Sequence, residues 1–188
     1  MNLGKETRAM NEINLSGLME QAIVTFAQNR TGPRPGVRAK IPPDLPLVSW
    51  RDAALGKFIK RFLYHAFMAS SPEVPLRVAL NERSRLSDLE AFVRVVPVGW
   101  IQLRIEGRGP GMTGGLVEEL FRDIAYRCEE WVGVEGSESQ LAIFCPENET
   151  EPKLVLCADI SKPMWKFDLL IPLMDRVYVQ ESSVRRKS

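Results

Sequence analysis

Leu55, Phe58, Ile59, Phe62, Leu63, Ala66 and Phe67 recur at intervals of three and four residues. This spacing lays an apolar stripe along one side of a single helix. Lys57, Arg61 and Tyr64 fall on the less apolar side. Ser49 opens the segment as an N-cap, with Asp52 as an acidic variant of the capping box, and Ser70-Ser-Pro72 closes it. A helix this one-sided needs a layer to lie on. The runs that follow supply it, because residues 74–80, 90–96 and 100–105 either alternate or are β-branched.

The rest of the chain fits the same plan. Asn14 caps a first helix to about residue 28, with Leu15, Leu18, Met19, Ala22, Ile23 and Phe26 on its apolar face. Residues 29–36 combine two prolines with two glycines and read as a loop. Val37, Ala39 and Ile41 alternate with Arg38 and Lys40, which predicts a short strand with one buried face. The prolines of 42–46 end it. A glycine-rich run at 107–115 leads into a third helix over 116–131, which buries Val117, Leu120, Phe121, Ile124, Cys128 and Trp131. Strands over 140–145 and 153–158 follow, and 164–174 with 177–180 would add edge strands. Helices grouped apart from hairpin-linked strands predict an α+β fold: a two-layer sandwich with a mixed, mostly antiparallel sheet and about three helices on one face. The expected division is a polar arm at 1–12, one domain at 13–180 and a disordered basic tail at 181–188.

Composition narrows the function. The 188 residues suit one domain, and 25 Lys+Arg against 24 Asp+Glu leave a net charge of +1. No broad basic footprint is present, which argues against nucleic acid as a partner. Cys128, Cys145 and Cys157 are odd in number without CxxC spacing and, with no secretory leader ahead of them, read as reduced thiols. One histidine excludes any site that needs several imidazoles. The longest apolar runs, such as 169–174, fall short of the ~20 residues of a membrane span. A soluble, globular, cytoplasmic protein is expected, without nucleic-acid or membrane partners.

Four segments, in order, resemble the ATP-binding domain of sensor histidine kinases, a branch of the gyrase/histidine kinase/MutL ATPase superfamily. Ile13-Asn-Leu-Ser-Gly-Leu-Met-Glu-Gln-Ala22 is similar to that domain's linker and first helix. Gly36-Val-Arg-Ala-Lys-Ile-Pro-Pro-Asp-Leu-Pro46 resembles its first strand and proline-rich exit. Asp52-Ala-Ala-Leu-Gly-Lys-Phe-Ile-Lys-Arg-Phe-Leu-Tyr-His-Ala66 falls where the family keeps a helix of the form D-x-x-L-x-x-x-x-x-N-L-L-x-N-A. Gln102-Leu-Arg-Ile-Glu-Gly-Arg-Gly-Pro-Gly-Met112 is similar to the strand and glycine box that usually ends D-x-G-x-G-M. The resemblance spans roughly residues 13–160 and implies an α/β sandwich.

The departures decide what else it implies. The family's magnesium-binding Asn aligns with His65, and an earlier Asn of the same helix with Arg61. An amide oxygen suits a hard cation, whereas an imidazole is softer and a guanidinium binds none. The family's adenine-binding Asp aligns with Gly107, which offers no side-chain acceptor, while the box glycines Gly109 and Gly111 are kept. Glu106 is adjacent but points to the opposite face of a strand. Almost no lid separates Met112 from Leu116, although Thr113-Gly-Gly-Leu116 could be a remnant of the phosphate-binding turn.

Each feature has a plain alternative. His65 reads as a core or pocket-edge side chain, or else as a catalytic or phospho-acceptor group. The 107–115 run reads as a strand-to-helix turn or as a nucleotide contact. The cysteines read as small core hydrophobes, or as a nucleophile with His65. Trp100 and Trp131 are expected in core layers, and Trp50 and Trp165 as anchors at element ends. Lys57, Arg61 and Tyr64 either face solvent or fill an emptied pocket. The expectation that follows is a degenerate, pseudo-ATPase domain, non-catalytic and without cofactor. It would act in two-component-type signalling by contact with a response regulator or a kinase, with homodimerisation open. The alternative is a histidine-kinase catalytic module that binds ATP and magnesium through Glu106, Gly109, Gly111, Thr113 and Gly115. A binding domain for another small ligand is the third reading.

Overall fold

The computed structural model describes residues 11–28, 33–50, 53–84, 97–133, 138–147, 153–160 and 163–173. In chain order they form β1 (Asn11–Ile13), α1 (Leu15–Gln28), β2 (Val37–Lys40), β3 (Val48–Trp50), α2 (Ala54–Met68), β4 (Leu76–Arg83), β5 (Gly99–Arg108), α3 (Gly114–Arg122), β6 (Tyr126–Gly133), β7 (Ser139–Pro146), β8 (Leu154–Asp159) and β9 (Met164–Leu173). A seven-stranded sheet runs in the order β2-β4-β5-β9-β8-β7-β6. β2 pairs parallel with β4, and every other neighbour is antiparallel. The mixed, mostly antiparallel sheet, with three helices among the described residues, is the α+β sandwich that the sequence predicts.

The alternation of each strand sorts its side chains between two faces. Ile101, Leu103 and Ile105 of β5 lie in register with Ile171, Leu169 and Phe167 of β9. Together with Leu55, Phe58, Ile59, Phe62 and Leu63 of α2 they form the main core. Asn14 caps α1 as the sequence predicts, its Oδ1 accepting from the Gly17 N–H at 3.0 Å. The other face carries a second, smaller apolar cluster of Trp100, Val155 and Leu170, with Leu141 and Cys157 against it.

Several sequence expectations change. Ser49 lies in β3, opposite Glu12 of β1, and α2 begins at Ala54 without a side-chain cap. The third helix stops at Arg122; Ala125, at φ 58°, turns the chain into β6. A register shift between Cys128 and Glu130 adds one residue to β6, so the core-contacting Tyr126, Cys128 and Trp131 are spaced by two and then three. That bulge imitates helical spacing. β9 is not an edge strand: it lies between β5 and β8. Its continuous burial from Phe167 to Leu173 is the mark of a strand covered on both faces. Trp50 and Trp165, expected as end anchors, are 1% and 2% exposed. The strand expected at 90–96, the one at 177–180, Asp52, and the arm and tail beyond 11–173 fall outside the described residues.

Candidate functional site

The glycine run meets the end of α2. Ser70 turns its hydroxyl back to donate to the Ala66 carbonyl at 2.8 Å, which tightens the last turn. The Ser71 N–H donates to the Arg108 carbonyl at 2.6 Å, and the Gly109 N–H donates to the Pro163 carbonyl at 2.8 Å. Gly109 has φ +131°, and a Cβ there would lie 2.9 Å from the Ala69 carbonyl oxygen. Both the torsion and the backbone approach therefore require glycine. The turn is a clasp joining the exit of α2, the end of β5 and the approach to β9.

Trp165 covers this clasp. It is the cross-strand partner of Gly107, and a Cβ at 107 would sit 2.3 Å from Trp165 Cζ2 and 2.8 Å from Ser70 Oγ. The same ring packs along Gly111, whose Cβ would be 3.1 Å from Cδ1, and leans on Phe167 with centroids 5.6 Å apart. The volume where a side chain at 107 would stand is filled by indole. Its Nε1 has no hydrogen-bond partner among the described residues, so shape rather than polarity holds the ring.

The other expected site residues are dispersed around this turn. Arg61 pairs with Asp123 at the end of α3, which ties α2 to α3. His65 is half-buried and sets its ring edge-on to the exposed Tyr64, centroids 5.5 Å apart. Glu106 lies on the face away from the helices, 3.9 Å from Arg77. Thr113 caps α3, its Oγ1 accepting from the Leu116 N–H at 3.3 Å, and Gly115 faces open space. Gly107, Gly109 and Gly111 are thus brought together with Trp165, while Glu106 is turned to the other side of the sheet. Trp165 is the residue that sequence reasoning missed. The signal was available: Gly107 continues the inward series Ile101, Leu103, Ile105, and a glycine in such a series marks the close approach of a neighbour.

Among the described residues, all three thiols are raised above their ordinary range. Burial pushes the Cys157 thiol up to about 11, with Asp168 adding to the rise and Lys166 opposing it. Burial also raises Cys128 and Cys145. No thiol among the described residues is activated as a nucleophile. Cys128 does not lie on a helix, and Cys157 packs against the smaller cluster on the far face. No group of three or more metal-ligating side chains converges among the described residues, and no described helix is long and apolar enough to cross a membrane.

No protein-family profile and no curated protein matches the chain. Among solved structures, the cytoplasmic segment of the histidine kinase QseC is similar at a TM-score of 0.47 and 10% identity, over 94% of this chain and 85% of that one. Function therefore has to be read from the chain's own residues.

Proposed function

We infer that this chain is a degenerate histidine-kinase-type ATPase-like domain, without a normal ATP site, that works as a non-catalytic signalling module through protein contacts. One observation carries the reading: the indole of Trp165 fills the space at Gly107, where the resemblance places the adenine-binding Asp. A base stacked beside that position would have to displace a ring that is 2% exposed and bonded into the sheet through β9. The box glycines Gly109 and Gly111 donate backbone bonds to the Pro163 and Ala69 carbonyls that close the clasp, which gives them a structural role without phosphate. The contact surface in this reading is on α2, where Tyr64 and Met68, one turn apart, are 48% and 40% exposed and Tyr64 packs against Phe26 of α1. A response regulator or a kinase is the partner class that fits this reading.

The test is calorimetric titration with ATP and ADP, with and without magnesium, alongside thermal shift. No heat of binding and no shift in melting temperature are expected. Micromolar binding that disappears in Gly109→Val would overturn the reading in favour of a nucleotide-binding module with non-standard ligands.

A further inference from the structure

The far face of the sheet holds a groove of about 280 Å³ at the β2 edge, lined by Arg38, Lys40, Arg77, Arg104 and Glu106 together with small side chains. Its cations differ in how far they are committed. Arg104 is spent on Asp168, through Nε to Oδ1 at 2.7 Å and Nη2 to Oδ2 at 2.9 Å. Arg77 is only 3.9 Å from Glu106, with a side chain 69% exposed. Arg38 and Lys40 are exposed, and neither forms an ion pair with a described carboxylate. Arg38 also lies directly opposite Arg77 in the β2–β4 register. Like charges so placed repel, and the repulsion falls when an anion lies between them.

The backbone beside these cations is open. β2 is the edge of the sheet among the described residues, and Arg38, Ala39 and Lys40 are all exposed. The Gly36 carbonyl accepts from the Leu76 N–H, so Gly36, Arg38 and Lys40 bond inward to β4. Alternation then sends the N–H and C=O of Val37 and Ala39 outward. The spacing of Arg38 and Lys40, two residues apart on one face, matches alternate side chains of an added strand.

We propose that β2 is a docking edge for an acidic segment of a partner protein. The segment adds as an extended strand, its carboxylates beside Arg38, Lys40 and Arg77, and its intervening apolar side chains beside Val37 on the helix face. Charge complementarity selects an acidic partner, and main-chain bonds to Val37 and Ala39 select an extended one. The proposal does not depend on the state of the nucleotide cleft, so the two can fail separately.

The probe is a fluorescein-labelled peptide of alternating Glu and Val, measured by fluorescence anisotropy at low and high salt, with a Lys-Val peptide and inorganic phosphate as comparisons. The Glu-Val peptide is expected to bind, to weaken with salt, and to lose roughly tenfold or more in affinity with Arg38→Glu plus Lys40→Glu. Ala39→Pro removes an outward donor without touching the charge and is expected to abolish binding as well. Circular dichroism spectra of both variants are expected to match the wild type. No binding by the Glu-Val peptide, equal binding by the Lys-Val peptide, full competition by phosphate, or indifference to Ala39→Pro would each overturn the proposal. Aggregation of the charge-reversed variant without peptide binding by the wild type would show instead that the edge cations only guard against strand pairing.

Discussion

Adding a side chain at position 107 means moving an indole, because its Cβ would lie 2.3 Å from Trp165 Cζ2. Gly107→Ala is therefore expected to cost about 3 kcal/mol as overpacking, and Trp165→Ala about 3–5 kcal/mol as a cavity. Once the ring is gone most of the clash at 107 is gone, apart from the Ser70 hydroxyl at 2.8 Å. In the Trp165→Ala background the cost of Gly107→Ala should fall by about 2 kcal/mol, read from urea midpoints at unchanged m. Strict additivity of the two substitutions would show that the ring does not occupy the position. Cys157 makes a second case at this scale. Its thiol is pushed up to about 11 from 9.0, so the folded protein holds a proton that the unfolded chain releases first. Its contribution is complete below pH 9 and is lost as pH rises toward 11, by on the order of 2 kcal/mol. Cys157→Ala should flatten that part of the stability curve. An identical decline in both proteins between pH 9 and 11 would assign the loss to other groups.

Elements were legible wherever one periodicity ran long enough without interruption. The stripe of α2 and the Asn14 cap of α1 are both in the fold, because local spacing alone determines them. β4, β5, β7 and β8 also follow their alternating runs to within a few residues. The failures share a physical origin, which is that the deciding partner is distant in sequence. β1 and β3 are three residues each and exist through each other, so Ser49 imitates a helix cap while sitting opposite Glu12. β6 imitates a helix because its bulge converts a two-residue step into a three-residue one at Trp131. The Trp131 indole then donates to Glu118 of α3 at 2.7 Å, a contact between the true helix and the strand first read as its continuation. Trp165 was misplaced for the same reason. Its neighbour Gly107 is a cross-strand partner far back in the chain, and no local window contains both.

At the scale of the whole molecule, the decisive feature is that β9, late in the chain, is inserted between β5 and β8. Apart from Asp168, β9 from Phe167 to Leu173 is apolar toward both faces, and Leu169 and Leu170 show this side by side. Leu169 is fully buried in the main core against the helices, opposite Leu103 and Leu156. Leu170 is 4% exposed on the other face, with Trp100 and Val155. An antiparallel sheet with one wet face would punish truncation at only one of the two positions. Here both Leu169→Ala and Leu170→Ala are expected to cost 2–5 kcal/mol, about what a buried leucine loses when a cavity is left behind. Denaturant unfolding of the two variants decides the matter. A cost for Leu170→Ala within about 0.5 kcal/mol of zero, as for an exposed site, would mean that the Trp100 cluster is a covered patch and not a second core. A large cost would locate the wet part of the far face at the β2 end, where Arg38, Lys40 and Arg77 stand, and so confine docking to that edge.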